Sequence, residues 1–101
     1  MSEVGARPVL ADVDHKTMTM GAEQTAAALT RKTKAVIPVH LYGGVADMGP
    51  LMKLAKAKGL AVIEDCCQAH LAAYEGRCVG TIGDFGAFSF YPTKNLGAAG
   101  D

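Results

Sequence analysis

The sequence lacks a charge imbalance, a membrane-length apolar run and a paired-cysteine pattern, and each absence removes a class of function. Ten basic residues are matched by ten acidic ones, for a formal net charge of zero. No Lys/Arg cluster breaks that balance locally, so no field gathers nucleic acid or an anionic membrane surface. No apolar run approaches the roughly 18 residues that a membrane-spanning helix needs. The opening stretch, Met1-Ser2-Glu3-Val4-Gly5-Ala6-Arg7-Pro8, has no apolar core of the signal-peptide kind. Three cysteines (Cys66, Cys67 and Cys78) are an odd number with no export signal beside them. They read as reduced thiols of a cytoplasmic protein rather than as a disulfide framework. A zinc site built from these three and His70 is disfavoured: adjacent cysteines point their side chains apart, and the usual Cys-x₂-Cys spacing is missing. No metal is expected. Gly97 and Gly100 do not form the Gly-x-Gly-x-x-Gly fingerprint of a dinucleotide site, which argues against a nicotinamide enzyme. There is no internal repeat and no low-complexity tract.

What is present fits one small α/β domain. The chain has 101 residues, half of them hydrophobic, enough for a modest core. Pro8 to Val13 alternates apolar and other residues and predicts a short strand. The Ala-rich segment 22–30, with Glu23, Gln24 and Leu29, predicts a helix. Lys34 to His40 holds the compact apolar run Ala35-Val36-Ile37-Pro38-Val39 before Gly43-Gly44, and predicts a buried strand. Pro38 has no N–H to give a ladder, so it marks either the end of that strand or an exposed donor position. Asp47 is placed as an N-cap, with Pro50 in the first turn where its missing N–H is harmless. Met48, Leu51, Met52 and Ala55 form an apolar stripe at helical spacing, and Gly59 is placed as the stop. Leu60 to Ile63 is a further buried strand that delivers Glu64 and Asp65 at its end. Phe85 to Phe90 alternates and predicts a last strand. The order strand–helix–strand–helix–strand implies a mostly parallel sheet with helices on both faces.

Ligands of open α/β sheets bind beyond the C-terminal ends of the strands. Asp65 and, three residues on, Gln68 follow one strand; Ser89 and Lys94 follow another. An acid near a pyridinium nitrogen keeps it protonated, and a lysine amine can form a Schiff base with a cofactor aldehyde. A hydroxyl can hold phosphate, and an amide can bond a ring oxygen. From spacing alone the set is weak, since each residue has an ordinary structural use: solvation for Lys94, turn capping for Asp65, local backbone bonds for Gln68 and Ser89. Glu64 is expected to make structural hydrogen bonds. His40 is expected at a strand end, facing the cleft or standing one layer behind it, and His70 serves equally as a structural residue or one beside a ligand.

The motifs agree with one another in order. Glu64-Asp65-Cys66-Cys67-Gln68-Ala69-His70, Gly76-Arg77-Cys78-Val79-Gly80, Gly83-Asp84 and Phe88-Ser89-Phe90-Tyr91-Pro92-Thr93-Lys94-Asn95-Leu96-Gly97, with Gly100-Asp101, resemble the DegT/DnrJ/EryC1/StrS sugar aminotransferases. So do Gly5-Ala6-Arg7-Pro8 and Pro38-Val39-His40-Leu41-Tyr42-Gly43 upstream. The resemblance implies part of the large domain of a fold type I enzyme that uses pyridoxal 5′-phosphate (PLP). Such an enzyme moves an amino group, from glutamate or glutamine, onto a nucleotide-linked keto sugar. By the same resemblance Lys94 is the catalytic, Schiff-base lysine, Asp65 the pyridinium partner, Gln68 a contact to the phenolic oxygen and Ser89 a phosphate ligand. The complete enzyme is expected to be a homodimer with no nucleic acid or membrane partner. The family's upstream phosphate loop and C-terminal small domain have no counterpart in residues 1–101, so the chain alone is expected to be inactive. Two alternatives stand beside this: a non-catalytic remnant, and a sugar dehydratase of the same fold, in which a histidine replaces the lysine. One departure is Leu71, where the family usually has glycine; leucine has poor access to positive φ, which favours the remnant.

Overall fold

A computed structural model describes residues 2–99; the expected Gly100-Asp101 end of the motif lies outside them. The elements are α1 (Ala22–Ala28), β1 (Ala35–Val36), α2 (Met48–Lys58), β2 (Ala61–Asp65), β3 (Ala73–Tyr74), β4 (Arg77–Cys78) and β5 (Phe85–Ala87), after a 3₁₀ turn at Ser2–Val4. β1, β2 and β5 form a three-stranded sheet in that order, with both pairings parallel. The fold is therefore α/β with a parallel sheet and helices, as the alternation of patterns implies.

α2 follows directly from its stripe. Met48, Leu51 and Ala55 are buried, Met52 is half-buried, and Lys53, Lys56 and Lys58 stay in solvent. The helix ends at Gly59, whose φ of +64° is left-handed. The Gly59 N–H reaches the Lys56 carbonyl at 3.3 Å and the Leu60 N–H the Ala55 carbonyl at 2.9 Å, so two orphan carbonyls are satisfied. The helix start differs from expectation, because the Asp47 side chain caps no N–H. The Tyr74 hydroxyl does so instead: it accepts from the Gly49 N–H at 3.1 Å and donates to Asp47 Oδ1 at 2.5 Å. β3 and β4 exist to present that tyrosine. They are an antiparallel hairpin whose turn, Glu75-Gly76, has φ of +48° and +80°, the hand that matches strand twist.

β2 sorts its residues by alternation. Val62 and Glu64 point to the α2 side, where Val36, Leu51, Ala55 and Ile82 complete the core. Ile63 and Asp65 point to the other side, in register with Phe85 and Ala87. The β1 segment is shorter than expected, yet its pairing continues past Val36. The Asp65 N–H bonds the Pro38 carbonyl at 2.9 Å, the His40 N–H bonds the Asp65 carbonyl at 2.9 Å, and Val39 bridges Asp65. Pro38 is buried there and contributes the one backbone group it has.

Two predicted strands are corrected. Pro8–Val13 forms no strand; Leu10 is 94% exposed, and among the described residues no strand pairs with the segment. β5 stops at Ala87 rather than Phe90, because β2, its only partner among the described residues, ends at Asp65. The helix expected over 22–30 ends at Ala28.

Candidate functional site

Three loops meet beyond the C-terminal ends of β1, β2 and β5. The turn after β2 is tied to the loop after β1 by the Gly43 N–H, which bonds the Gln68 carbonyl at 2.9 Å. It is tied to β5 by the Cys66 N–H, which bonds the Ala87 carbonyl at 2.8 Å. These bonds fix where the four sequence-predicted residues stand. Asp65 is half-buried at the end of β2, and its Oδ1 accepts the Cys67 N–H at 3.0 Å. Gln68 is half-buried and held by its backbone rather than its amide. The Ser89 Oγ accepts the Tyr91 N–H at a long 3.4 Å, a bond that leaves the hydroxyl proton unused. Lys94 is half-buried, its N–H bonded to the Tyr91 carbonyl at 2.8 Å.

Cys67 sits beside Asp65 on the turn after β2, and its thiol reaches the Ala87 carbonyl of β5 at 3.9 Å. Cys67 is pushed above its usual range, first by burial, then by its hydrogen bond to the Asp65 carboxylate and by that group's charge; the Lys94 ammonium pulls it back down. Asp65 stands at the end of β2 and Lys94 on the loop after β5. They do not form an ion pair with each other: the one pair among the described residues is His40–Glu64. The Lys94 amine thus forms no ion pair among the described residues. Ser89 and Gln68 share no hydrogen bond with either group among the described residues, so the structure places them on the same loops without locking them together.

Behind this edge lies a buried polar knot that sequence reading anticipated only in outline. Glu64 is fully buried, and its two oxygens accept four N–H donors. Oε2 takes His40 Nε2 at 3.0 Å and the Gly80 N–H at 2.9 Å; Oε1 takes the Ile82 and Gly83 N–H groups at 2.7 Å each. Of the two expectations for His40 the structure takes the one behind the cleft, for it too is fully buried. Its Nδ1 accepts the Ala46 N–H at 3.2 Å, so the ring proton is on Nε2 and points at Glu64. Burial alone would raise the Glu64 carboxyl, but the bonds from Gly83, Gly80, His40 and Ile82 outweigh it and lower the pKa. The signal in the sequence was the acid two residues after Val62, on the buried face of a strand, where it had to find partners.

Cys66 Sγ lies within 4.8 Å of the His40 and Glu64 ligand atoms, all three buried. The donor set does not suit a metal. Each Glu64 oxygen already holds two N–H groups, His40 presents a proton, and burial with the Glu64 and Asp65 charges pushes the Cys66 thiol up to about 12. Cys78 is exposed on β4 and stands apart.

Leu71 adopts φ +64° and is 82% exposed. The turn thus keeps the backbone conformation that a glycine would favour, and the leucine does not divert it. His70, beside it, packs its ring on Phe88 and Phe90 with centroids 5.8 and 5.5 Å away. Both of its ring nitrogens are buried without a partner among the described residues.

A parallel α/β sheet with reactive side chains on the loops past its strand ends is the ligand-binding class of open-sheet domains. The chain belongs to the DegT/DnrJ/EryC1/StrS aminotransferase family, whose profile matches residues 1–101. It is 57% identical over 98 residues, 97% of this chain and 27% of the relative, to UDP-N-acetyl-3-dehydro-alpha-D-glucosamine 3-aminotransferase of Acidithiobacillus ferrooxidans. The crystal structure of the aminotransferase from Psychrobacter cryohalolentis superposes with a TM-score of 0.95 at 48% identity, over 98% of this chain and 25% of that one. The PLP form of a sugar aminotransferase from Streptococcus pneumoniae, itself described as putative, gives 0.83 at 33% identity, over 95% and 28%. The chain spans about a quarter of the length of the curated relatives it matches, 27% in each of the first three.

Proposed function

We propose that the full-length polypeptide carrying these residues is a PLP-dependent aminotransferase acting on a nucleotide-linked keto sugar, with glutamate or glutamine as amino donor. Residues 1–101 would be part of its cofactor-binding large domain, with the other phosphate and substrate contacts supplied from outside them, and the working enzyme would be a homodimer. The observation that carries the reading is the placement of Asp65, at the end of β2, and Lys94, on the loop after the parallel neighbour β5, both half-buried and not paired to each other. A similar 3-aminotransferase of a UDP-linked 3-dehydro sugar supports the substrate class, and a neighbour solved in its PLP form supports the cofactor.

When bound, PLP supplies an electron sink for the bond to the transferred amino group. The residues here would do the rest. Lys94 Nζ would hold the cofactor and then carry a proton at the reacting carbon. Asp65, ionised, would keep the ring nitrogen protonated. Gln68 would meet the ring oxygen, and the spare Ser89 proton would go to phosphate. Lysine at position 94 favours amino transfer over the dehydratase alternative, where a histidine stands.

The test is reductive trapping. PLP is added to the full-length polypeptide, the mixture is reduced with borohydride, and the modified peptide is mapped by mass spectrometry. A pyridoxyl group on Lys94 is expected. A folded protein with no label, or a label on another lysine, refutes the assignment.

A further inference from the structure

We infer that Glu64 is a positioning residue for the Asp65–Lys94 site, acting through Gly80 and Phe88 on the segment that carries Ser89 and Lys94. The inference rests on the aminotransferase reading. Glu64 and Asp65 are neighbours on β2 that face opposite sides of the sheet, so one carboxylate can anchor while the other works. On the anchoring side, Glu64 gathers the backbone N–H groups of Gly80, Ile82 and Gly83 into a single cradle. Gly80 is held there at φ +82°, pressed between two neighbours. A Cβ on Gly80 would meet the Phe88 ring at 2.6 Å, and a Cβ on Gly86 would meet the Gly80 Cα at 2.5 Å. Phe88 therefore rests on the Gly80 backbone, immediately before Ser89, and its ring packs on His70, two residues past Gln68. Displacing Gly80 moves the support of both loops.

The carboxylate is specific for this task. Glutamine has one oxygen and one NH₂, so two of the four N–H donors would face another donor. His40 cannot relieve the conflict by changing tautomer, because its Nδ1 must accept from Ala46.

The experiment uses the full-length polypeptide with Glu64→Gln, assayed where circular dichroism shows it folded. The turnover number is expected to fall by about tenfold or more with KM little changed, as for a misplaced reacting group. The pH profile of the bound cofactor's visible absorbance is expected to shift. Tyr74→Phe, which loosens α2 away from the site, is the stability control and is expected to leave both unchanged. A folded Glu64→Gln variant with wild-type kcat and absorbance profile overturns the inference. Should that variant fail to fold, Phe88→Leu keeps the buried pair and cuts only the link; kcat is expected to fall, and an unchanged kcat overturns the inference equally. Lys94 labelling of the wild type separates the two levels: a labelled wild type with an indifferent Glu64→Gln variant refutes the positioning role alone.

Discussion

Leu71 holds a backbone conformation that its own Cβ opposes. At φ +64° a non-glycine residue is disfavoured by about 1–2 kcal/mol, and the side chain, 82% exposed, gains little packing in return. Replacing it with glycine removes the strain but adds freedom to the unfolded chain, worth about 0.5–1 kcal/mol in the other direction. A net gain of about 0.5–1 kcal/mol is expected for Leu71→Gly, read as a higher urea midpoint at unchanged slope. Leu71→Ala keeps the Cβ and is expected to gain nothing. Equal gains for both variants would show that the exposed side chain, not the backbone angle, is the source. At this scale the sequence was informative about identity and poor about surroundings. The family motif named Asp65 and Lys94, and simple alternation explains why Asp65 and Glu64 part company at the sheet. The left-handed angle at Leu71 could not be read from a residue type that normally avoids it; it is imposed by the turns on either side, where the Ala69 N–H bonds the Cys66 carbonyl and the Ala72 N–H bonds the Ala69 carbonyl, each at 3.1 Å.

The start of α2 depends on another element. Tyr74, presented by the β3–β4 hairpin, accepts from the Gly49 N–H and donates to Asp47, so one hydroxyl satisfies a helix donor and docks the hairpin. The hydrogen bond to Asp47 leads in raising the phenol above its usual value, and the Gly49 N–H works against it. For an acid whose folded pKa is raised, the stabilisation is present below the unfolded pKa and is lost as pH rises through the folded one. Tyr74→Phe is therefore expected to lower the melting temperature by several degrees at neutral pH, with the deficit shrinking above pH 10 as the wild type loses the same bond. A deficit that stays constant into alkaline pH would contradict the role given to the hydroxyl proton. Elements were legible where the signal is local: the stripe of α2 and its Gly59 stop need no knowledge of the rest of the chain. Pro8–Val13 failed because a strand is a property of a pair. Among the described residues no partner lies beside it, and the same lack ends β5 at Ala87 rather than Phe90.

The two faces of the sheet set the behaviour of the whole molecule. One is closed by α2 and holds Val36, Val62 and the Glu64 knot. The other carries Ile63, Asp65 and Ala87 beside Val39 and Phe85, with Phe85 65% exposed. All-parallel sheets are normally covered on both faces, and contiguous apolar exposure of this kind invites association. Among the described residues no helix, α1 and α2 included, is long and apolar enough to cross a membrane. The isolated 101-residue polypeptide is expected to bind the dye ANS several-fold more strongly, per mole, than the longer polypeptide proposed above, and to sediment as associated species. Substituting Phe85→Lys on the open face is expected to reduce both signals. Leu51→Lys, on the closed face, is expected to unfold the chain, because it places an unpaired charge in the core. That contrast follows from α2 covering one face of β2 and leaving the other open. If instead the isolated chain is monomeric and dark with ANS, the apolar exposure around Phe85 is too small to drive association, and Phe85→Lys is then expected to change neither signal.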